Sequence, residues 1–432
     1  MLRRSVLNKL DKWKNTPNKM ALVVNGARQI GKTFAIREFG EQNYKNVIEI
    51  NFEERPLLKE IFAGDLDVDS IIEQITLRFR GENITPKETL LFFDEVQSCP
   101  NARTALKFFT QDGRFDVIAS GSLLGLQYKE VGSYPVGYVE FLDMYSLSFE
   151  EYLWANGVTD KFIAKLKDNF DNLEPIASNT HIQMLKFFRE YIVVGGMPKV
   201  VQNFMDNRNY QEVQKLQEDI IRGYTDDIMK YAPAVEKTRA KECLISIPRQ
   251  LAKEYKKFQY SVVEKGATKR KYGNALLWLL DANIVNFCNS ISLPELPFEG
   301  YVKMDIFKVY MQDTGLLVSM LGEDAAKDII DNNLGIYKGA IYENIIADIL
   351  HKNKHKLYFF EKNSKIEMDF FIRYRDKATA LEVKSSENTK SKSLDSLFQN
   401  YGVKSGIKLS TKNIGTVKTG VISLPLYMAM FL

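Results

Sequence analysis

The sequence predicts a mixed α/β protein: a parallel, phosphate-binding sheet first, then helices, then a second α/β unit. Three observations predict it. Ala21-Leu-Val-Val-Asn-Gly-Ala-Arg-Gln-Ile-Gly-Lys-Thr33 carries an apolar run into Gly26, and residues 26–33 fit G-x-x-x-x-G-K-[ST] without mismatch. Thr89-Leu-Leu-Phe-Phe-Asp-Glu95 is a continuous apolar run ending in two acids, as in a strand buried on both faces that delivers carboxylates to a ligand-binding edge. Residues 339–409 read as helix, three short strands, helix and strand.

Composition bounds the answer. A chain of 432 residues, 45% hydrophobic and 26% charged, is ordinary for a globular protein and has room for about two to four domains. No apolar run reaches membrane-spanning length and the charged N-terminus lacks a signal-like core, so a cytoplasmic location and no membrane partner are expected. Cys99, Cys243 and Cys288 are far apart and the histidines are His181, His351 and His355, which argues against a disulfide framework or a zinc enzyme. With a net charge of +4, any nucleic-acid site must be a local patch.

Leu2, Val6, Leu7, Leu10 and Trp13 fall at helical spacing, predicting a helix docked on the first domain. Gly26, Ala27, Arg28, Gln29, Ile30, Gly31 and Lys32 then form a loop, with Thr33 and Phe34 opening a helix. Its successive N–H groups make a concave anion site suited to ATP. Lys32 would face the β- and γ-phosphates and Thr33 would ligate Mg2+. Residues 46–52 read as the second strand and 56–80 as helical. Asp94 would hold Mg2+ through water, and Glu95 would polarise the attacking water. Ala102–Phe109 supplies a crossover helix, and residues 115–122 the next strand, with Ser120 or Ser122 placed to sense the γ-phosphate.

Gly26–Thr33, Phe93-Asp-Glu-Val-Gln97, Ser120-Gly-Ser122 and Leu147-Ser-Phe-Glu-Glu-Tyr-Leu153 together resemble the prokaryotic AAA-type ATPases that carry a C-terminal domain of unknown function. Arg28-Gln29 inside the loop is typical of that family. The resemblance covers nearly the whole chain and implies an ATPase using ATP and Mg2+. It leaves a homo-oligomer or a protein partner open. One departure is Tyr138, where the family often has a basic residue. If that residue acts on the γ-phosphate, Arg28 or an arginine from elsewhere must substitute, and turnover would be slow.

From Phe149 to about Tyr231 the pattern is helical, broken at Gly195-Gly196 and Pro198. This Gly-Gly-x-Pro stretch, similar to a signature of the same family, predicts a turn of closely approaching backbones with no chemistry. Arg222 is a candidate trans-acting arginine, against the plainer reading of a surface arginine. Residues 236–272 hold eleven Lys/Arg against four acids, the local surplus that a nucleic-acid backbone requires. Helical stretches around Leu244–Leu251 and from Thr268, then strands near 283–292 and 307–313, predict a winged helix-turn-helix. Lys269, Arg270 and Lys271 crowd the start of its groove-entering helix, which predicts a DNA contact. A solvated basic face, or a winged helix that binds protein, is the alternative.

In the last unit, Glu343 sits among core-facing helical positions, and Asp369, Glu382 and Lys384 follow on strands. Residues two apart in a strand share a face, so Glu382 and Lys384 point the same way. Asp369 can join Glu382, with Glu343 reaching in, around one Mg2+. Lys384 would orient the hydrolytic water or stabilise charge on a phosphate. Element order and residues resemble the restriction-endonuclease-like superfamily. Glu367 shares the face of Asp369 and is the alternative ligand. A scaffold whose charges pair with one another is the alternative to an active nuclease.

The expected division is a P-loop ATPase core (1–150), a helical lid (151–231), a winged helix-turn-helix (232–320) and a restriction-endonuclease-like α/β domain (321–432). The expected function is a Mg2+-dependent ATPase of AAA type that couples nucleotide state to DNA engagement. The alternative is a slow nucleotide switch acting on a protein partner without nuclease chemistry.

Overall fold

A computed structural model of the chain describes residues 2–121, 134–253, 256–333, 337–362, 366–384 and 392–432. Strands β1 (Ala21–Asn25), β2 (Asn46–Asn51), β3 (Thr89–Asp94), β4 (Asp116–Gly121) and β5 (Val139–Asp143) form a parallel sheet in the order β2-β3-β4-β1-β5. Every residue of β1, β3 and β4 is buried, as a sheet covered on both faces demands. Helices Val6–Lys14 and Lys32–Asn43 pack in one core, and Val68–Arg78 and Pro100–Asp112 in the other. Strand β5 escaped the sequence reading. It lies at the sheet edge with alternating burial, so it lacks the continuous apolar run that marked its neighbours.

Helices Phe149–Ala155, Asp160–Asn172, Ser178–Val194, Pro198–Asn207 and Tyr210–Tyr231 form the expected lid region. Gly195 has φ 72°, and a Cβ there would overlap the Asp313 carboxylate. One at Gly196 would overlap the Leu147 carbonyl. The paired glycines are therefore a close backbone approach, as predicted.

Helices Lys237–Leu251, Tyr260–Val263 and Lys269–Asp281 precede an antiparallel ribbon of β6 (Val285–Ile291) and β7 (Val302–Met311). Phe258 N–H adds a bond to Phe307 O at 2.9 Å. The ribbon is not a free wing. Strand β6 pairs in parallel with β8 (Leu357–Lys362), which continues through β9 (Ile366–Tyr374), β10 (Lys377–Val383), β11 (Ser405–Ser410), β12 (Gly415–Lys418) and β13 (Val421–Pro425). The result is one eight-stranded sheet, β12-β13-β11-β10-β9-β8-β6-β7. The division expected at 320 falls inside it, because Phe307–Met311 is buried at every position, unlike a solvated wing. Helix Lys338–Lys352, strands β8, β9 and β10, helix Lys392–Asn400 and β11 give the predicted αβββαβ order. Among the described residues, no helix is long and apolar enough to cross a membrane.

Candidate functional site

Strand β1 delivers the phosphate loop to the C-terminal edge of its sheet. Positive φ at Gln29 (64°) and Gly31 (88°) curls the loop into helix Lys32–Asn43. Among the described residues, the N–H groups of Ala27 through Gly31 donate to no backbone or side-chain oxygen. Orphaned donors of this kind, continued by those of the helix's first turn, suit an anion. The buried Lys32 ammonium donates to Gly26 O (2.9 Å) and Ala27 O (2.8 Å). Burial lowers its pKa to about 8, against the pull of Glu95 and Asp94.

Asp94 is oriented from three sides. Thr33 Oγ1 donates to its Oδ2 at 3.0 Å, Asn51 Nδ2 to the same oxygen at 3.1 Å, and Ser120 Oγ to Oδ1. Glu95 follows at φ 52°, accepts from Gln97 Nε2, and has its pKa raised by burial. Hydroxyl and carboxylate oxygens beside orphaned N–H donors fit a hard cation and the phosphates it accompanies. Asn51 carries no motif, and only its place on the neighbouring strand reveals it.

The loop opens into a cleft of about 560 Å³. Arg28, Gln29, Thr33 and Glu95 line it together with Leu2, Pro198 and Lys199, with Phe34 half-exposed among the lining residues. The Gly-Gly-x-Pro stretch, expected to carry no chemistry, thus contributes Pro198 and Lys199 to the wall. Arg4, two residues before helix Val6–Lys14, is buried. It donates to Ile30 O (2.9 Å) and Tyr145 O (2.7 Å) and pairs with Glu151 at 3.2 Å, fixing the loop from behind.

The C-terminal carboxylates form a different kind of site. Lys384 Nζ lies 2.8 Å from Glu382 Oε1, so the shared face is real. Two lysines missed in the sequence also enter. Lys308, fully buried on β7, is 2.8 Å from Glu367 and 3.6 Å from Glu343. Lys256 also pairs with Glu343, and Tyr310 OH donates to it at 3.1 Å. Burial alone would raise the Glu343 pKa, but Lys308 and Lys256 outweigh it and hold it low. Asp369 accepts from Val383 N–H at 2.7 Å, and burial with Glu343 nearby pushes its pKa up to about 7. Among the described residues, no three acids, histidines or cysteines converge as a metal site. Of the residues expected around one Mg2+, Glu343 is paired with Lys256 and Lys308, Glu382 with Lys384, and the alternative ligand Glu367 with Lys308. A buried lysine in an apolar strand gives no sequence signal of its partners.

Residues 18–153 match the family model described as AAA domain. The N-terminal unit is an AAA domain. Residues 185–327 and 338–427 match two domains of unknown function, DUF8612 and DUF4143. The chain is thus AAA-type, with a C-terminal domain of unknown function, as its motifs implied. Among solved structures it is similar to the Walker-type ATPase PABY2304 of Pyrococcus abyssi (13% identity, 74% of this chain and 96% of that chain, TM-score 0.42). It is also similar to the Aeropyrum pernix ORC1 protein in complex with DNA (12% identity, 77% and 93% covered, TM-score 0.32). A third is the Thermotoga maritima RuvB Holliday junction branch migration motor (14% identity, 66% and 89% covered, TM-score 0.30). No curated protein matches the chain.

Within the AAA domain, Ser120 lies near the C-terminal end of β4 and donates to Asp94, and Ser122 lies outside the described residues. Tyr138 does not. Strand β5 runs parallel to β1 with Val139 beside Ala21 and Asp143 beside Asn25, so Tyr138 lies at the opposite edge from the loop, about 17 Å along the strand from Asp143. A basic residue there would not reach the phosphates of its own chain, so its absence leaves no gap in this cleft. Arg222 stands exposed, 3.8 Å from Asp219. Lys269, Arg270 and Lys271 are exposed at the start of helix Lys269–Asp281, with Lys269 paired to Asp305 and Lys271 to Glu264. Part of the basic surplus turns inward, Lys256 to Glu343 and Lys257 to Glu361.

Proposed function

We propose that this chain binds ATP with Mg2+ and hydrolyses it, and that its nucleotide state sets how the basic segment 236–272 engages DNA. The observation that carries the hydrolytic reading is the ordering of Asp94 by Thr33, Asn51 and Ser120 beneath the loop. Mg2+ held by Thr33 and Asp94 would neutralise charge on the phosphate oxygens. Lys32 would exchange the Gly26 and Ala27 carbonyls for phosphate oxygens. Glu95, its basicity raised by burial, is suited to orient and polarise a water. The exposed pairs of Lys269 and Lys271 are solvent-screened and weak, so both cations are available to exchange those partners for DNA phosphates.

The test is steady-state ATP turnover in Mg2+, with and without duplex DNA, using Lys32→Ala as the blank. Turnover above the blank and stimulated by DNA supports the whole reading. Turnover that ignores DNA refutes the coupling, and none above the blank refutes hydrolysis. The lysine-neutralised carboxylates favour a second reading for the C-terminal domain, a scaffold without nuclease chemistry. Under that reading, nicking of supercoiled DNA in Mg2+ does not exceed that of Asp369→Ala.

A further inference from the structure

Lys32 is not the only cation at the nucleotide cleft. The Arg28 guanidinium also lines it, and the lid helix Tyr210–Tyr231 holds it. Arg28 pairs with Asp227, donates to Tyr231 OH at 2.8 Å, and lies 3.7 Å from Glu53. The Tyr231 hydroxyl in turn donates to Glu53 at 3.0 Å, and its ring lies 4.7 Å from the guanidinium. Arg28 Nε is buried without a partner. The same helix rests on the loop backbone: Tyr224 OH donates to Arg28 O at 3.4 Å, and a Cβ on Gly223 would sit 3.3 Å from Gln29 Nε2. Residues 223, 224, 227 and 231 share one helical face, so a single face reads the loop. Six residues beyond Tyr231, helix Lys237–Leu251 begins the basic segment.

We propose that Arg28 is the residue by which this chain distinguishes a nucleoside triphosphate from a diphosphate, and that Asp227, Tyr231 and Glu53 are its resting cradle. The inference rests on the ATP reading of the loop. A planar guanidinium pairs equally well with carboxylate or phosphate, so a terminal phosphate competes with Asp227 for it. A diphosphate ends one phosphate short and leaves Arg28 in its cradle. The two nucleotide states then differ in whether the lid helix is tied to the loop by an ion pair, which is the differential contact a conformational shift requires. Burial disfavours the charged form of Asp227, so its hold on Arg28 is a replaceable one. The other arginines lining the cleft are otherwise engaged, Arg4 on backbone carbonyls and Arg37 with Glu49, and Arg222 is exposed and pairs with Asp219.

The test is equilibrium binding of ADP and a non-hydrolysable ATP analogue to the full chain. Arg28→Met should weaken the analogue roughly ten- to a hundredfold, the worth of hydrogen bonds to a charged group, and leave ADP within about twofold. Asp227→Asn, which loosens the cradle without altering the loop, should strengthen the analogue and leave ADP unchanged. Hydrogen exchange across residues 219–231 should differ between analogue and ADP in the wild type, and the difference should vanish in Arg28→Met. Equal weakening of both nucleotides by Arg28→Met, or no effect of either variant on the analogue, overturns the proposal and leaves ATP binding standing. Undiminished nucleotide binding by Lys32→Ala overturns the phosphate-loop reading itself, and the Arg28 proposal with it.

Discussion

Replacing Lys308 by Met tests whether the C-terminal carboxylates form a structural ion network. Methionine keeps much of the apolar stem and removes the ammonium. In the wild type that ammonium is fully buried, 2.8 Å from Glu367, 3.6 Å from Glu343, and 4.9 Å from the Phe359 ring. Glu367 keeps 38% of its side-chain exposure and can turn to water, so its loss is small. Glu343 is only 5% exposed and would be left with Lys256 and Tyr310. Removing one partner of a buried pair costs about 3–5 kcal/mol, and the two surviving partners place the expected loss near the lower end, about 3 kcal/mol. The double change Lys308→Met with Glu343→Gln removes the stranded charge and should recover roughly half of that loss. Native-state hydrogen exchange of helix Lys338–Lys352 and strands β8 and β9 reads this region directly, without requiring the whole chain to unfold in two states. A loss below about 1 kcal/mol, or strictly additive single and double changes, refutes the network.

Three further outcomes are expected. Glu95→Gln should still bind ATP while turnover falls about 10²–10⁴-fold, measured in a coupled assay, and unchanged turnover would remove Glu95 from the chemistry. Changing Lys269, Arg270 and Lys271 together to Glu should flatten the salt dependence of DNA binding by up to about three units of slope, and unchanged affinity would dismiss the segment as a DNA contact. His351 has its pKa lowered from 6.5 to about 4 by burial, with Nε2 unpartnered, so the unfolded chain takes up the proton first. Its contribution is full above about pH 6.5 and is lost as pH falls toward 4, amounting to about 2 kcal/mol at pH 5. His351→Phe keeps the edge contact with Tyr145 and should lose less stability between pH 7 and 5 in chemical denaturation, whereas equal losses contradict the assignment.

What the sequence reveals here follows from how local each determinant is. The phosphate loop is contiguous and its geometry is a backbone property, so Gly26 to Thr33 could be read with its strand and helix. Asp94 and Glu95 could be read because a strand buried on both faces leaves a continuous apolar run. Asn51, Arg4 and Asp227 could not, since each acts through a contact made by folding and carries no spacing signal. Position 138 misled for a related reason. A family pattern marks the position, but only the register of β5 against β1 shows which edge it occupies. Glu343, Asp369, Glu382 and Lys384 fell in the predicted elements, and the reading still missed what Lys308 does, because its reach crosses β6 and β8 to Glu367 on β9. Element order is legible from periodicity, and charge pairing across a sheet is not.

The same contrast separates the rigid from the movable connections between the AAA domain and the rest. Near the loop's origin, a Cβ at Gly26 would overlap the Met144 carbonyl, and Met144 N–H bonds to Asn25 O at 2.8 Å. Two residues on, Ser146 Oγ and Gly196 N–H donate to Asp313 at 3.0 and 2.8 Å, and Lys352 donates to Leu147 O at 3.1 Å. These are close backbone contacts and hydrogen bonds to largely buried side chains, so this junction holds lid and C-terminal sheet at a fixed place against the domain. Arg28, by contrast, lines an open cleft and is held by side chains alone, so it can exchange one anion for another. A signal from the nucleotide is therefore expected to travel through helix Tyr210–Tyr231 rather than through the Gly-Gly turn. The glycines supply the fulcrum and the arginine supplies the switch.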